Sequence, residues 1–307
     1  MKGRLLVITF ILLMTVLELA GQTYPVYSQY LLDGLVINPA YAGTRDALST
    51  TILYRQKLLG ADGSPVMQSF TAHAPLKKER VALGIMAHYQ TYGVSHNAGV
   101  FAQYAYHITT RRGKWSLGLK AGVDMSNCDY SNVSTVVPDP VFTDAVTSYI
   151  LPNVGVGVYY YNKKFFAGLS VPMMFSYREN STRSGYEFYH DYNNYDFLIS
   201  SGVLISFSEG FRFKPSVLVR YSPDKPILAD INGNFIIADF VWLGASYRVG
   251  EEVLVGIAEI QITQQLKIGY AYEYSMGGLS SFTSGTHEVG LRMEFGKKVN
   301  AANPRYF

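Results

Sequence analysis

The chain has 307 residues, enough for one large domain or two ordinary ones, and its net charge of +3 comes from scattered basic residues. A weak and dispersed positive charge attracts nucleic acid poorly, so we exclude a nucleic-acid partner. The 25 tyrosines, 17 phenylalanines and 28 glycines, beside a charged fraction of 16%, indicate a chain that tolerates apolar surroundings, which is unusual for a cytoplasmic enzyme.

The first residues have the order of a secretory signal peptide. Lys2 and Arg4 precede an apolar run, and the small residues Ala20 and Gly21 follow it. The apolar run is shorter than the roughly 20 residues that cross a hydrocarbon core. We therefore predict a signal peptide over residues 1–21, rather than a membrane anchor, and an exported protein.

The next segment is YSQYLLDGLVINPAYAG, residues 27–43, which is rich in tyrosine but lacks strand alternation and helical length. Ser28 to Leu35 has the spacing of a short helical turn, which Gly34 and the Asn-Pro pair are expected to end. Its apolar groups need a surface to bury against, either an inner wall of the fold or a partner protein. The residues that we predict to make these plug or partner contacts are Tyr27, Gln29, Tyr30, Leu31, Leu35, Asn38, Pro39 and Tyr41.

From residue 48 onward, apolar and polar residues alternate with a period of two, which indicates β-strands. In KWSLGLKAGVDM, residues 114–125, Trp115 and Leu117 point to one side, while Ser116 and Lys120 point to the other. We predict fourteen strands, at 48–57, 66–75, 80–91, 97–108, 114–125, 150–161, 164–171, 196–207, 211–221, 227–237, 240–248, 252–261, 265–275 and 286–296.

Alternation alone fits either a soluble β-sandwich or a membrane barrel, which differ in whether the apolar face is buried or meets lipid. Strands of about ten residues, tyrosines near strand ends and an even strand count favour the barrel. The long connections at 126–149, 172–195 and 276–285 follow odd-numbered strands, and short turns follow even ones. We therefore predict an all-β fold, a closed antiparallel transmembrane β-barrel in an outer membrane, because closure also removes exposed strand edges.

Charged side chains fall on the strand face that points into the predicted barrel. An unpaired charge there is costly without water or a partner. The residues therefore line a wet solute channel, a salt-bridged interior that fixes a plug, or a bland lumen, and their mixed signs argue against a strongly ion-selective pore. These lumen charges are Lys120, Asp124, Arg212, Arg220, Glu273, Glu288 and Arg292.

The sequence holds no familiar catalytic or metal-binding motif. The six histidines lie in separate segments, and there is no nucleophile elbow, phosphate loop or GxGxxG turn that opens a helix. A serine and a histidine brought together across barrel strands would leave no local signature. We predict a protein that is not an enzyme and carries no cofactor and no metal.

Two runs at the front of the chain carry a family resemblance. YSQYLLDGLVINPAYAG is followed by RDALSTTILYRQKLLGADGSPVMQSFTAHAPL, so that SQY, NPAYAG, a Tyr-Arg-Gln strand end, a Gly-Ser-Pro turn and QSFTAHAPL occur in order. This string resembles the start of the PorP/SprF family of type IX secretion system membrane proteins. The strand-rich remainder and the ending NPRYF are also similar to that family.

The resemblance implies an outer-membrane barrel of the type IX secretion and gliding machinery, which works by binding and anchoring without turnover. The partners that it implies are an exported surface adhesin, a periplasmic secretion ring or peptidoglycan-linked components, and outer-membrane lipid. The chain then divides into a signal peptide at 1–21, a plug or periplasmic docking segment at 22–46, the barrel at 47–296 and a periplasmic tail at 297–307. We expect the docking segment at the periplasmic mouth and the long loops outside.

The alternative from another functional class is an outer-membrane solute channel, or a transporter of hydrophobic substrates that resembles the fourteen-stranded fatty-acid uptake barrels. A barrel of either class gives the same alternation. An open lumen would favour the channel or transporter, and a plugged lumen would favour the secretion protein.

Overall fold

The computed structural model describes residues 26–76, 80–129, 146–180, 185–223, 225–277 and 283–296. The signal peptide expected at 1–21 and the tail expected at 297–307 lie outside these residues. Within the described ranges, no helix is both long enough and apolar enough to cross a membrane.

The described residues form mainly β-strands, because the apolar–polar alternation of the sequence continues through them. Short 3-10 turns lie at Gly34–Val36, Pro39–Tyr41 and Tyr192–Asn194. The strands are β1 Leu48–Gln56, β2 Val66–Pro75, β3 Val81–Tyr92, β4 Ser95–Thr109, β5 Lys114–Asp129, β6 Val146–Tyr161, β7 Phe165–Val171, β8 Ser176–Asn180, β9 Gly185–Tyr189, β10 Phe197–Val203, β11 Ile205–Ser208, β12 Phe211–Tyr221, β13 Leu228–Ile237, β14 Val241–Val249, β15 Val253–Gln261, β16 Leu266–Ser275 and β17 Thr286–Phe295.

All of these strands except β8 and β9 belong to one antiparallel sheet, which closes where β1 pairs with β17. β10 and β11 are two parts of one barrel strand, since both pair with β12 in the same register, Gly202 opposite Ser216 and Ile205 opposite Phe213. Pro215 lies opposite the interruption and has no N–H to donate to the ladder. The barrel therefore has 14 strands, and the predicted all-β barrel and strand count are confirmed.

Strand bounds differ from the prediction mainly where the strands extend past the expected loops. β5 continues to Asp129 and β6 starts at Val146, and these two residues pair with each other. The loop expected at 172–195 contains the hairpin of β8 and β9. The sequences of these segments do not alternate cleanly, so periodicity did not predict them as strands.

The two ends of the barrel differ in the length of their connections. At one end, here called the short-turn end, β4 joins β5 through residues 110–113 and β6 joins β7 through 162–164. The opposite end, here called the long-loop end, carries the connections that contain 130–145 and 172–196. Outer-membrane barrels place short turns in the periplasm and long loops outside, so the short-turn end is periplasmic.

The outer face of the barrel is apolar and its inner face is polar. Leu119 is 58% exposed while its neighbour Lys120 is 3% exposed, and Ile231 and Asn232 show the same contrast at 56% and 3%. This arrangement is the reverse of a soluble protein and fits lipid around the barrel.

Candidate functional site

Residues 26–46, here called the lumen segment, run inside the barrel from the long-loop end to the short-turn end. At the long-loop end, Arg55 Nη1 donates to the Val26 carbonyl at 2.5 Å. At the short-turn end, the Gly43 N–H donates to His73 Nδ1 at 3.0 Å. We expected the whole segment at the periplasmic mouth. Its end, near Gly43, lies there, whereas its start lies at the opposite end of the lumen.

The lumen segment is built from tight turns. The helical turn expected from Ser28 to Leu35 is limited to one turn, in which the Leu32 N–H donates to the Gln29 carbonyl at 2.8 Å, and Gly34, which was expected to end it, begins a 3-10 turn. The Asp33 carboxylate accepts from the N–H of Leu35 at 3.1 Å and so caps that turn. Such capping side chains favour short turns over continued helix.

A group of buried charges and hydrogen bonds, here called the clasp, holds the start of the lumen segment. It consists of Ser28, Gln29, Arg55, Arg248, Glu273 and Glu288. The Glu288 carboxylate accepts from the backbone N–H groups of Ser28 and Gln29 at 2.9 and 2.8 Å. The Ser28 hydroxyl donates to Glu273 and accepts from Arg248 Nη2 at 3.0 Å. Because Glu288 is fully buried and Arg55 is 2% exposed, these charge-assisted bonds are shielded from water.

The clasp continues along the wall as a chain of ion pairs. Arg55 Nη2 lies 2.7 Å from Glu273, and Arg248 Nε lies 2.7 Å from Asp230. Arg220 reaches Asp230 at 3.7 Å and Glu251 at 3.4 Å. Opposite charges therefore alternate across five strands, as a salt-bridged interior requires.

The charges of this network shift the pKa values of two loop residues at the long-loop end. The positive charge of Arg55, together with burial, lowers the pKa of Lys57 to about 8. Burial raises the pKa of the Glu251 carboxyl, but Arg248 and Arg220 outweigh it and hold that pKa below its usual value. The network contains four cations and four carboxylates, so it has no formal net charge that would select ions of one sign. The cations are Arg55, Lys57, Arg220 and Arg248, and the carboxylates are Asp230, Glu251, Glu273 and Glu288.

The middle of the lumen segment binds the opposite wall through Asn38. Its Nδ2 donates to the carbonyls of Val158 at 3.0 Å and Leu169 at 3.4 Å, while its Oδ1 accepts from the Ala40 N–H at 2.9 Å. One side chain therefore caps the second 3-10 turn and ties it to β6 and β7. This explains the Asn-Pro pair of the motif, since Pro39 is favoured directly after a cap.

Asn38→Ala should loosen the lumen segment without opening the barrel wall. Loss of the cap and of the two wall contacts is expected to cost about 1–2 kcal/mol in local stability. Hydrogen exchange of the amides in 38–42 measures this. Asp191→Ala is the matched control, because Asp191 caps the 3-10 turn Tyr192–Asn194 outside the lumen and its loss should leave 38–42 unchanged. Equal exchange in both variants would contradict the wall contact.

Glycines on the lumen wall let the backbone of the lumen segment lie close to strands β5 and β6. A Cβ at Gly118 in β5 would overlap the Ala40 backbone nitrogen and lie 2.5 Å from its Cα. A Cβ at Gly157 in β6 would overlap Asn38 Oδ1. The sequence places Gly118 on the inner face, but its role becomes evident only from the segment packed against it.

Aromatic side chains fill the remaining space around the segment. Tyr41 makes edge contacts with Tyr159 at 5.7 Å and with His73 at 5.6 Å between ring centroids. Asn232 donates to the buried Tyr30 hydroxyl at 2.9 Å. Cavities of about 20 and 30 Å³ lie beside the segment, each with room for about one or two waters. This part of the lumen is packed like a protein core.

The structure brings the predicted plug residues together inside the lumen. Their side chains lie against the wall and not on an outer surface, so contact of these residues with a protein partner stays a prediction. Seven of them are buried and Leu31 is half-buried: Tyr27, Gln29, Tyr30, Leu31, Leu35, Asn38, Pro39 and Tyr41.

Most of the predicted lumen charges contact the lumen segment or the clasp, and one lies at the short-turn end. Glu273 and Glu288 belong to the clasp, Arg220 extends it, and Arg292 donates to the Leu32 carbonyl at 3.2 Å. Arg212 differs, because it reaches the short-turn rim. There it bonds Asp239.

The other two predicted charges lie on β5. Lys120 lies over the Phe101 ring at 4.2 Å, and Asp124 lies 3.0 Å from His88 Nε2. In the part of the chain that the structure describes, no three His, Cys, Asp or Glu side chains gather as a metal site.

Sequence reasoning missed Arg55, Arg248 and Asp230. The same period of two that marked Glu288 also turns these side chains inward, so a signal was present. Ser28 carried no such signal, since its partners are distant in sequence and it lies in no strand.

Above the lumen segment, a cavity of about 500 Å³ occupies the long-loop end of the barrel and is here called the vestibule. Val26 contributes to its floor, and Arg220 and Glu251 line it beside Met173 and Tyr177. The vestibule therefore combines charged and apolar surface at the end that faces outside.

The sequence matches the family model described as type IX secretion system membrane protein PorP/SprF over residues 19–293. This chain belongs to the PorP/SprF family. The match confirms the resemblance to this family that the front of the sequence carries. The family and the closed barrel together confirm the predicted outer-membrane location. No curated protein matches this PorP/SprF chain.

Solved outer-membrane barrels share the fold. The CymD monoaromatic hydrocarbon channel is 11% identical with a TM-score of 0.52, over 91% of this chain and 96% of that one. The Ralstonia pickettii toluene transporter TbuX is 10% identical with a TM-score of 0.50, over 90% and 96%. The Acinetobacter baumannii outer membrane protein Omp33 is 8% identical with a TM-score of 0.46, over 82% and 100%. At such identities the likeness to CymD and TbuX shows the fold alone.

Proposed function

We propose that this PorP/SprF protein is a non-catalytic outer-membrane barrel of the type IX secretion and gliding machinery. It supports export or surface anchoring of a partner adhesin and docks to periplasmic components. The observation that carries this proposal is the lumen segment, which fills the barrel with the chain's own residues and ties them to both walls. A filled barrel offers its two ends for binding, rather than a path for solutes.

The vestibule is the proposed contact for the exported partner. It lies at the long-loop end, which carries the β5–β6 connection and the β8–β9 hairpin. Its volume is within the range of pockets that bind ligands, and Met173 and Phe175 add apolar surface to the charges of Arg220 and Glu251. A protein segment with apolar and charged groups fits such a site.

Affinity capture from membranes after surface crosslinking tests the proposal. We expect the protein to recover an exported surface adhesin or a secretion component. A parallel capture on another abundant outer-membrane barrel of the same cells is the control for non-specific recovery. Recovery of neither class of protein above this control would overturn the proposal.

Replacing Tyr27, Tyr30 and Tyr41 with Ser should weaken function in the secretion complex and leave barrel insertion intact. These rings are buried against the lumen wall, so their loss removes apolar contacts of the segment but none between barrel strands. Cell-surface display of the exported partner measures function, and heat-modifiable mobility measures insertion. Unchanged display would mean that the tyrosines have no part in secretion.

The second candidate function is a solute channel or a transporter of hydrophobic substrates. The fold that this chain shares with CymD and TbuX, described as a hydrocarbon channel and a toluene transporter, favours it. Planar-bilayer recordings separate the two candidates. We expect no steady openings from the purified chain because the lumen segment is packed. Steady, large openings would favour the channel.

A further inference from the structure

Three neighbouring turns at the short-turn end carry a cluster of exposed cations. Arg80 follows the β2–β3 connection, Arg111 and Arg112 form the β4–β5 turn, and Lys163 and Lys164 form the β6–β7 turn. All five side chains are exposed. We call these five residues the basic rim.

The basic rim carries a net positive charge. The described residues include no ion pair of its five cations, and the one acidic residue in the sequence of the three turns is Glu79 of LKKER, which lies outside the described residues. The adjacent Lys114 lies 3.9 Å from Asp46 and is not counted in the rim. The five charges therefore face water at the periplasmic end.

The opposite half of the same end has no excess of positive charge, because its turns carry the acidic residues Glu209 and Asp239. There Arg212 bonds Asp239 and also donates to the Glu209 carbonyl at 3.0 Å. The β15–β16 turn contributes the exposed, uncharged Gln264 and Gln265. The short-turn end of the barrel is therefore polarised, with its positive charge on the side of β2 to β7.

The backbone of the basic rim is held in place. The Thr110 N–H donates to the Gly113 carbonyl at 2.9 Å, and the Tyr160 hydroxyl donates to the Arg112 carbonyl at 3.0 Å. The Lys164 N–H donates to Asn162 Oδ1 at 2.8 Å. Adjacent hairpin turns lie about 10 Å apart, near the Debye length of about 8 Å, so their fields overlap.

Membrane lipid does not account for this one-sided charge. Exposed aromatic residues border the short-turn end on both halves, with Trp115 and Phe165 above the basic rim and Phe211 and Phe240 on the other side. Lipid headgroups thus surround the whole circumference. A ring of lipid headgroups would favour cationic side chains around the whole circumference of the barrel. A protein that docks on one side needs cationic side chains on that side only.

We propose that the basic rim docks an acidic surface of a periplasmic protein. This inference rests on the proposed function, because it names the surface and the charge of the periplasmic partner. Electrostatic complementarity would orient that partner under β2 to β7 and leave the other half of the barrel end free.

Two variants with the same change in net charge test the charge requirement. R111Q/R112Q and Q264E/Q265E each lower the net charge by two, on opposite halves of the short-turn end. The full chain in neutral detergent is titrated with poly-L-glutamate and, separately, with phosphatidylglycerol vesicles. We expect R111Q/R112Q to weaken poly-L-glutamate binding by about threefold to tenfold, and Q264E/Q265E to change it less. Equal weakening, or binding to the vesicles alone, would overturn the proposal.

Site-specific photo-crosslinking in living cells identifies what occupies the rim. A photo-reactive residue at Lys163 should capture a periplasmic protein through an acidic segment, and one at Gln264 should not. R111Q/R112Q should reduce the Lys163 product. Equal products at both positions, or lipid adducts only, would contradict a protein partner. If surface capture still recovers an exported protein, only the rim assignment fails; if it recovers neither class of partner, the proposed function fails.

Discussion

Gly118→Val is expected to displace the lumen segment and open the barrel to ions. The new side chain would start where the Ala40 backbone lies, and a backbone atom, unlike a flexible side chain, has no other position within the packed turn. Overpacking of this kind costs about 1–3 kcal/mol. Valine suits a strand, so the pairing of β5 with its neighbours should persist. Planar-bilayer recordings should show steady openings that the parent protein lacks.

Gly256→Val is the matched control for this prediction. Gly256 is an exposed glycine of β15, and a Cβ there would meet no atom within 4 Å. The same substitution should therefore leave the barrel closed. Protease sensitivity of residues 26–46 gives a second measurement, which should rise for Gly118→Val alone. A closed and protected Gly118→Val barrel would show that the segment does not pack on β5 as the structure places it.

The strands of the barrel were accessible to sequence reasoning because their signal is local. A strand between lipid and a polar lumen must alternate at every residue, so each of the fourteen strands left its own pattern. The break at Leu204 left none, because it depends on Pro215 in the neighbouring strand. The β8–β9 hairpin was not predicted either, since residues 176–189 do not alternate cleanly between apolar and polar.

The position of the lumen segment could not be read from local patterns. Ser28 and Glu288 are 260 residues apart, and no periodicity connects them. Alternation places Glu273 and Glu288 on the inner face of the barrel, but it does not distinguish depth along the barrel. For that reason Arg212 was assigned to the lumen although it bonds Asp239 at the rim.

Glu288→Ala should release the start of the lumen segment by breaking the clasp. The substitution removes the acceptors of the Ser28 and Gln29 N–H groups and leaves Arg55 with Glu273 as its main counter-charge. Removal of one partner from a buried charge network costs about 3–5 kcal/mol. Hydrogen exchange of the amides in 28–32 should rise accordingly.

Glu251→Gln is the matched control, because Glu251 belongs to the same network but its side chain is 35% exposed. Solvent screens such a pair, so the expected loss is at most about 1 kcal/mol. Exchange in 28–32 should therefore follow the order Glu288→Ala, then Glu251→Gln, then parent. If both variants exchange alike, packing against glycines such as Gly118 holds the segment and the clasp only neutralises charge. If Glu288→Ala alone frees it, the clasp is the contact whose loss releases the lumen segment.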